Sequence, residues 1–248
     1  MSFLLLNICE YQFMPILVLD LDETVFVIKS HAENIDSIHA MSSDIAGATA
    51  CYDSIVYKTS VNIINPEQIS ELINAACTKY DGVIILTAGF WDPSIRELLE
   101  EYLDLSEETA AKFKNCRFHS VLTDSKLFNI DPMKLRDMDK YTRLQMLINH
   151  YPELKELFLV LLDDHPMHVN SVLNASDNTM IGAVLATTDT AEQDFYQHTL
   201  AALEQGKKQE TLLKNKENKP DDANRFFKHR KLDSAPLNVP NDVFSPPA

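Results

Sequence analysis

Two aspartates one residue apart, Asp20 and Asp22, stand at the end of the apolar run in ILVLDLDETVF. Unpaired charge is expensive to bury at a strand tip, so the pair calls for a counter-charge. Mg²⁺, which takes carboxylate, carbonyl and water oxygens, is the cation such a site suits. A second acidic pair, Asp163 and Asp164, follows LFLVLL, and Thr87-Ala88-Gly89 follows GVIIL. The latter joins a hydroxyl to small residues that let backbone N–H groups approach an anion. Lys140 opens the helical stretch before LFLVLL, although TDSKLFNIDPMKLRDMDK also offers Lys126 and Lys134. Carboxylate, hydroxyl, lysine and acidic pair, in that order, are a set for phosphoryl transfer. They supply nucleophile, phosphate donor, charge neutraliser and metal holder.

The elements that must position these groups are legible. Continuous apolar runs at 16–20, 82–86, 117–122, 157–162 and 180–186 predict strands buried on both faces. Between them, Asn65-Pro66-Glu67-Gln68 and Asp92-Pro93 read as helix starts, and 141–151 carries a third apolar-striped helix. Strands alternating with helices imply an α/β fold, a doubly wound parallel sheet. In such a sheet ligands bind outside the carboxyl ends of the strands, where Asp20, Thr87 and Asp163 fall. Residues 28–60 break the alternation and are expected to form a small flap or cap over that edge. From residue 205 to 248 the chain turns polar, charged and Pro-rich, which predicts a disordered tail or linker after a domain spanning 1–204.

Net charge is −15. From Gly206 onward nine Lys/Arg face six Asp/Glu, so the tail carries +3; thirteen basic against thirty-one acidic residues give the first 205 residues −18. That acidic body disfavours nucleic acid, whose phosphates it would repel. No run approaches the roughly 18 apolar residues of a membrane span. The apolar amino end lacks a basic leader and reads as a lead-in to the first strand rather than a signal peptide. Four scattered cysteines without zinc-ligand spacing fit reduced thiols and a cytoplasmic compartment. In the tail, FFKHRK is either solvated or a contact for a partner or an anionic membrane surface.

VLDLDETV, Thr87, Lys140 and LLDDHP resemble, in order, the four motifs of the haloacid dehalogenase superfamily, across residues 16 to about 190. The acid at Asp22 resembles its phosphatases and phosphotransferases. DLDET with LTAGFWDPSIRELL resembles the aspartate-based protein phosphatases of the polymerase-tail type, and the acidic body with a basic tail resembles bacterial effector phosphatases that act in a host cytosol. The spacing from third to fourth motif is longer here than in the polymerase-tail subgroup, and no BRCT-like partner domain is recognisable.

The resemblance implies that Asp20 attacks phosphorus to give an aspartyl-phosphate. Asp22 then protonates the leaving oxygen and activates the hydrolytic water. Thr87, Ala88 and Lys140 would bind the phosphoryl group, and Mg²⁺ would be held by Asp20, the Asp22 carbonyl, Asp163 and Asp164. Thr24 would fix the turn. His165 and His168 suit a supporting hydrogen bond or a helix start better than a hard metal. Phe90 and Trp91 suit either a grip on an aromatic or peptide substrate or packing of the next helix. The implied substrate is a phosphoprotein, phosphotyrosine before phosphoserine or phosphothreonine. A small-metabolite phosphatase with 28–60 as lid is the alternative, and an inactive scaffold the third reading.

Overall fold

The β-branched and leucine-rich runs form a five-stranded sheet because each can be covered on both faces by an amphipathic helix. A computed structural model describes residues 14–28, 41–52, 55–175, 180–186 and 195–217. Its strands are β1 (Ile16–Leu19), β5 (Val83–Leu86), β6 (Arg117–His119), β7 (Leu159–Asp163) and β8 (Ile181–Leu185). They lie in the order β6-β5-β1-β7-β8, every pair parallel. The chain therefore fills one side of β1 and then crosses to the other. That makes β1 the topological switch point, with the ends of β5 and β7 as its neighbours.

Alternate residues of β1 feed opposite layers. Leu17 and Leu19 pack with α1 (Pro66–Lys79), α2 (Ile95–Tyr102), α3 (Glu107–Lys114) and α8 (Phe195–Glu217) through Ile69, Leu72, Leu99, Phe113 and Leu203. Ile16 and Val18 face α6 (Lys140–His150) and α7 (Pro166–Leu173) through Leu144, Leu147 and Val172. The doubly wound α/β architecture expected from the sequence is present.

The flap is a second, antiparallel sheet, order β2-β4-β3, from β2 (Phe26–Ile28), β3 (Ile45–Tyr52) and β4 (Ile55–Ile63). It begins and ends slightly outside the expected 28–60, since Phe26, Val61 and Ile63 are buried in the main core. Of that insert, residues 29–40, 53 and 54 lie outside the described residues. Main-chain bonds join β3 to the loop after β5: Cys51 N–H donates to the Phe90 carbonyl and Asp92 N–H to that of Thr49, both at 2.9 Å.

Other expectations shift. The run 117–122 is strand only to His119, after which Val121 opens α4 (Val121–Phe128). Ser120 and Thr123 form a reciprocal capping box there, and local capping outweighs apolar continuity. Asn65 precedes α1 as expected, but in left-handed backbone at φ 45° and without a side-chain cap. Asp92 accepts from Ser94 N–H at 2.9 Å, ahead of a helix that starts at Ile95.

The boundary at 204/205 falls inside α8, which continues to Glu217. Leu203 is buried, and Gly206 lies so close to the Phe158 ring that any Cβ would collide with it. Residues 1–13 and 218–248, with the amino-terminal lead-in and FFKHRK, lie outside the described residues. Cys51, Cys77 and Cys116 are free thiols. No helix among the described residues is long and apolar enough to cross a membrane.

Candidate active site

The three strands at the switch point deliver their terminal side chains to one place. Asp20 leaves β1 with its N–H donating to the Leu162 carbonyl at 3.0 Å, which fixes it beside the end of β7. It is 4% exposed, and its Oδ1 accepts from the Lys140 ammonium. Lys140, 1% exposed, also pairs with Asp163 Oδ2 at 2.6 Å. Its place is set by the start of α6, where the Asp139 side chain caps the helix by accepting from Thr142 N–H at 2.9 Å. Of the three candidate lysines the structure brings only Lys140 here; Lys126 and Lys134 are exposed.

One hydroxyl joins the two acidic pairs. Thr24 Oγ1 lies 3.3 Å from both Asp20 Oδ2 and Asp164 Oδ1 and accepts from Asp164 N–H at 3.0 Å. It can donate its single proton to only one carboxylate at a time. The preceding turn places Glu23 in left-handed backbone, φ 57°, a conformation uncommon outside glycine. Asp163 Oδ1 accepts from His165 N–H at 2.8 Å, and the His165 ring accepts from Met167 N–H at 3.2 Å, so His165 serves as the cap of α7.

Oxygens of Asp20, Asp163 and Asp164 all lie within 4.8 Å of one another. Burial raises Asp20 well above the ordinary carboxylate range against the pull of Lys140, with Asp163, Asp22 and Asp164 adding to the rise. Burial, then the Asp163 charge, pushes Asp164 up to about 7. Three converging carboxylates facing one lysine are a hard-oxygen donor set whose repulsion a divalent cation relieves, so the residues fit Mg²⁺. The Asp22 carboxylate is not part of that cluster.

Asp22 is turned towards β5. Its Oδ2 accepts from the Thr87 hydroxyl at 2.9 Å and its Oδ1 from the Trp91 indole N–H at 2.8 Å. Burial raises its pKa, opposed by these two hydrogen bonds. Thr87 Oγ1 also accepts from Gly89 N–H at 3.0 Å, which curls the 87–89 loop back on itself; Ala88 at its centre is half-buried. Trp91, expected as a possible substrate grip, is 3% exposed, with its ring edge-on to Phe26 at 5.0 Å. Its ring packs in the core and its N–H is committed to Asp22, the packing reading of the two the sequence offered.

A buried network behind Thr87 escaped the sequence reading. Arg143, 1% exposed, donates to the Thr87 carbonyl at 2.7 Å and to Asp124 Oδ2 at 2.6 Å. Asp124 Oδ1 lies 2.8 Å from His119 Nδ1. The available signals were small: Arg143 sits three residues beyond Lys140 on one helix face, and His119 ends a strand at the same carboxyl edge of the sheet.

Fold and site together define a Rossmann-like doubly wound α/β protein with an acidic cluster at its switch point. Neither the protein-family models nor the curated protein sequences compared with the chain match it.

Proposed function

We propose that this chain is a Mg²⁺-dependent phosphomonoester hydrolase of the haloacid dehalogenase type that works through an aspartyl-phosphate. The observation that carries the reading is the convergence of all four motif positions on one sheet edge, with Asp20 ion-paired to buried Lys140. Asp20 attacks phosphorus as the bond to the leaving oxygen breaks, and Lys140 offsets the negative charge gathered there. Asp22 gives a proton to the leaving oxygen and then takes one from the hydrolytic water. Both oxygens of Asp22 accept hydrogen bonds, an arrangement suited to its ionised, water-activating form; burial favours the protonated form needed first. Asp20, Asp163 and Asp164 would hold Mg²⁺, which would neutralise phosphoryl charge and orient the group for in-line attack.

A protein substrate is favoured by the flap, where three consecutive apolar side chains, Ile55, Val56 and Tyr57, are 55%, 59% and 48% exposed. Exposed apolar surface of this kind suits a macromolecular partner better than a small metabolite. Purified protein is expected to hydrolyse an aryl phosphate only with Mg²⁺, to prefer phosphotyrosyl over phosphoseryl peptides, and to lose turnover in Asp20→Asn. Mg²⁺ at about 100 times its dissociation constant is expected to add about 2.7 kcal/mol to the wild type. It should add much less to Asp163→Asn. Absence of metal-dependent turnover refutes the enzymatic reading, and preference for sugar or nucleotide phosphates refutes the protein substrate.

A further inference from the structure

Trp91 is the only tryptophan in the chain. Its main chain is fixed by an isolated antiparallel bridge to Ala50 of the flap, and its ring by Phe26. Gly89 makes the approach possible: a Cβ there would sit 2.5 Å from Trp91 Cδ1 and Nε1 and 2.6 Å from Asp22 Oδ2. The indole N–H donates to Asp22 Oδ1 and, unlike a hydroxyl, has no lone pair with which to accept. Thr87 on the other oxygen both donates and accepts.

We infer that Trp91 is the positioning residue that sets the rotamer of the Asp22 carboxyl group. The inference rests on the acid–base role proposed above for Asp22. The indole N–H on Oδ1 and the Thr87 hydroxyl on Oδ2 together fix the plane of the carboxyl group on which that acid–base role depends. Removing the N–H frees the carboxyl group to rotate while leaving Asp20, Lys140 and the acidic cluster untouched.

The test is Trp91→Phe, which keeps an aromatic ring against Phe26 and removes the donor. With an aryl phosphate and Mg²⁺, kcat is expected to fall about tenfold or more, at unchanged KM and unchanged Mg²⁺ dependence. In an Asp22→Ala background the same substitution is expected to change kcat less than twofold. Equal losses in both backgrounds, or no loss in the parent, overturn the inference. A second measurement needs no activity: the chain has one indole N–H resonance, which is expected to move upfield in Asp22→Ala. An unmoved resonance overturns the inference alone. A shifted resonance in a parent protein without turnover overturns the phosphatase reading and the acid–base role with it.

Discussion

Arg143→Met tests the buried network behind the 87–89 loop. The guanidinium is 1% exposed and makes one bond to the Thr87 carbonyl and one to Asp124, itself 1% exposed. Methionine fills most of the volume but strips both acceptors of a donor. The carboxylate keeps only His119, and the Thr87 carbonyl loses the guanidinium. Breaking one half of a buried ion pair costs about 3–5 kcal/mol, because the surviving charge stays desolvated. The orphaned carbonyl accounts for about 1–3 kcal/mol of such a loss. With a urea slope of about 2 kcal/mol/M, the midpoint should fall by about 2 M. Asp124→Leu in the same chain removes the stranded charge. The double variant should therefore recover part of the loss, giving a coupling energy of about 0.5–3 kcal/mol. Equilibrium urea unfolding followed by circular dichroism measures all three variants. A loss under about 1 kcal/mol in the single variant, or strict additivity in the double, refutes the claim that these groups form one network.

Two further outcomes follow from burial. His168 is 7% exposed, and burial pushes its imidazole down from 6.5 to about 4. The unfolded chain binds the proton below about 6.5 and the folded one only below about 4, so the contribution is intact at neutral pH and is lost as pH falls through that window. Unfolding free energies at pH 7 and pH 4.5 should show the wild type losing about 1–2 kcal/mol more than His168→Leu; equal losses would exclude the effect. Gly206→Val places a branched side chain against the Phe158 ring and should cost about 1–3 kcal/mol by urea unfolding, whereas an unchanged midpoint would mean α8 is not packed there.

Much of the fold was legible because strands buried on both faces must be apolar throughout, and Asp20, Thr87 and Asp163 could be placed because each ends such a run. The contacts among them were less so. That Lys140, not Lys126 or Lys134, reaches Asp20 depends on where α6 begins, and that start is set by the Asp139 cap. Asp22 meets Trp91 only because the loop between them curls through Gly89, a fact of three-dimensional closure with no periodicity to betray it. The helical extent of α8 was hidden for a different reason. Its continuation past residue 204 is polar in composition, and one glycine facing one phenylalanine marks the packing.

The seam between β3 and residues 90–92 has a bearing on how such a scaffold is diversified. It is made by amide and carbonyl groups of Cys51, Phe90, Thr49 and Asp92, which every residue except proline supplies in full. The exposed side chains of the flap can therefore be exchanged without unpicking the join. A library randomising the exposed positions 55–57, with residues 90–92 held constant, would vary the surface of the rim while leaving the arrangement of Asp20, Asp22, Thr87 and Lys140 intact.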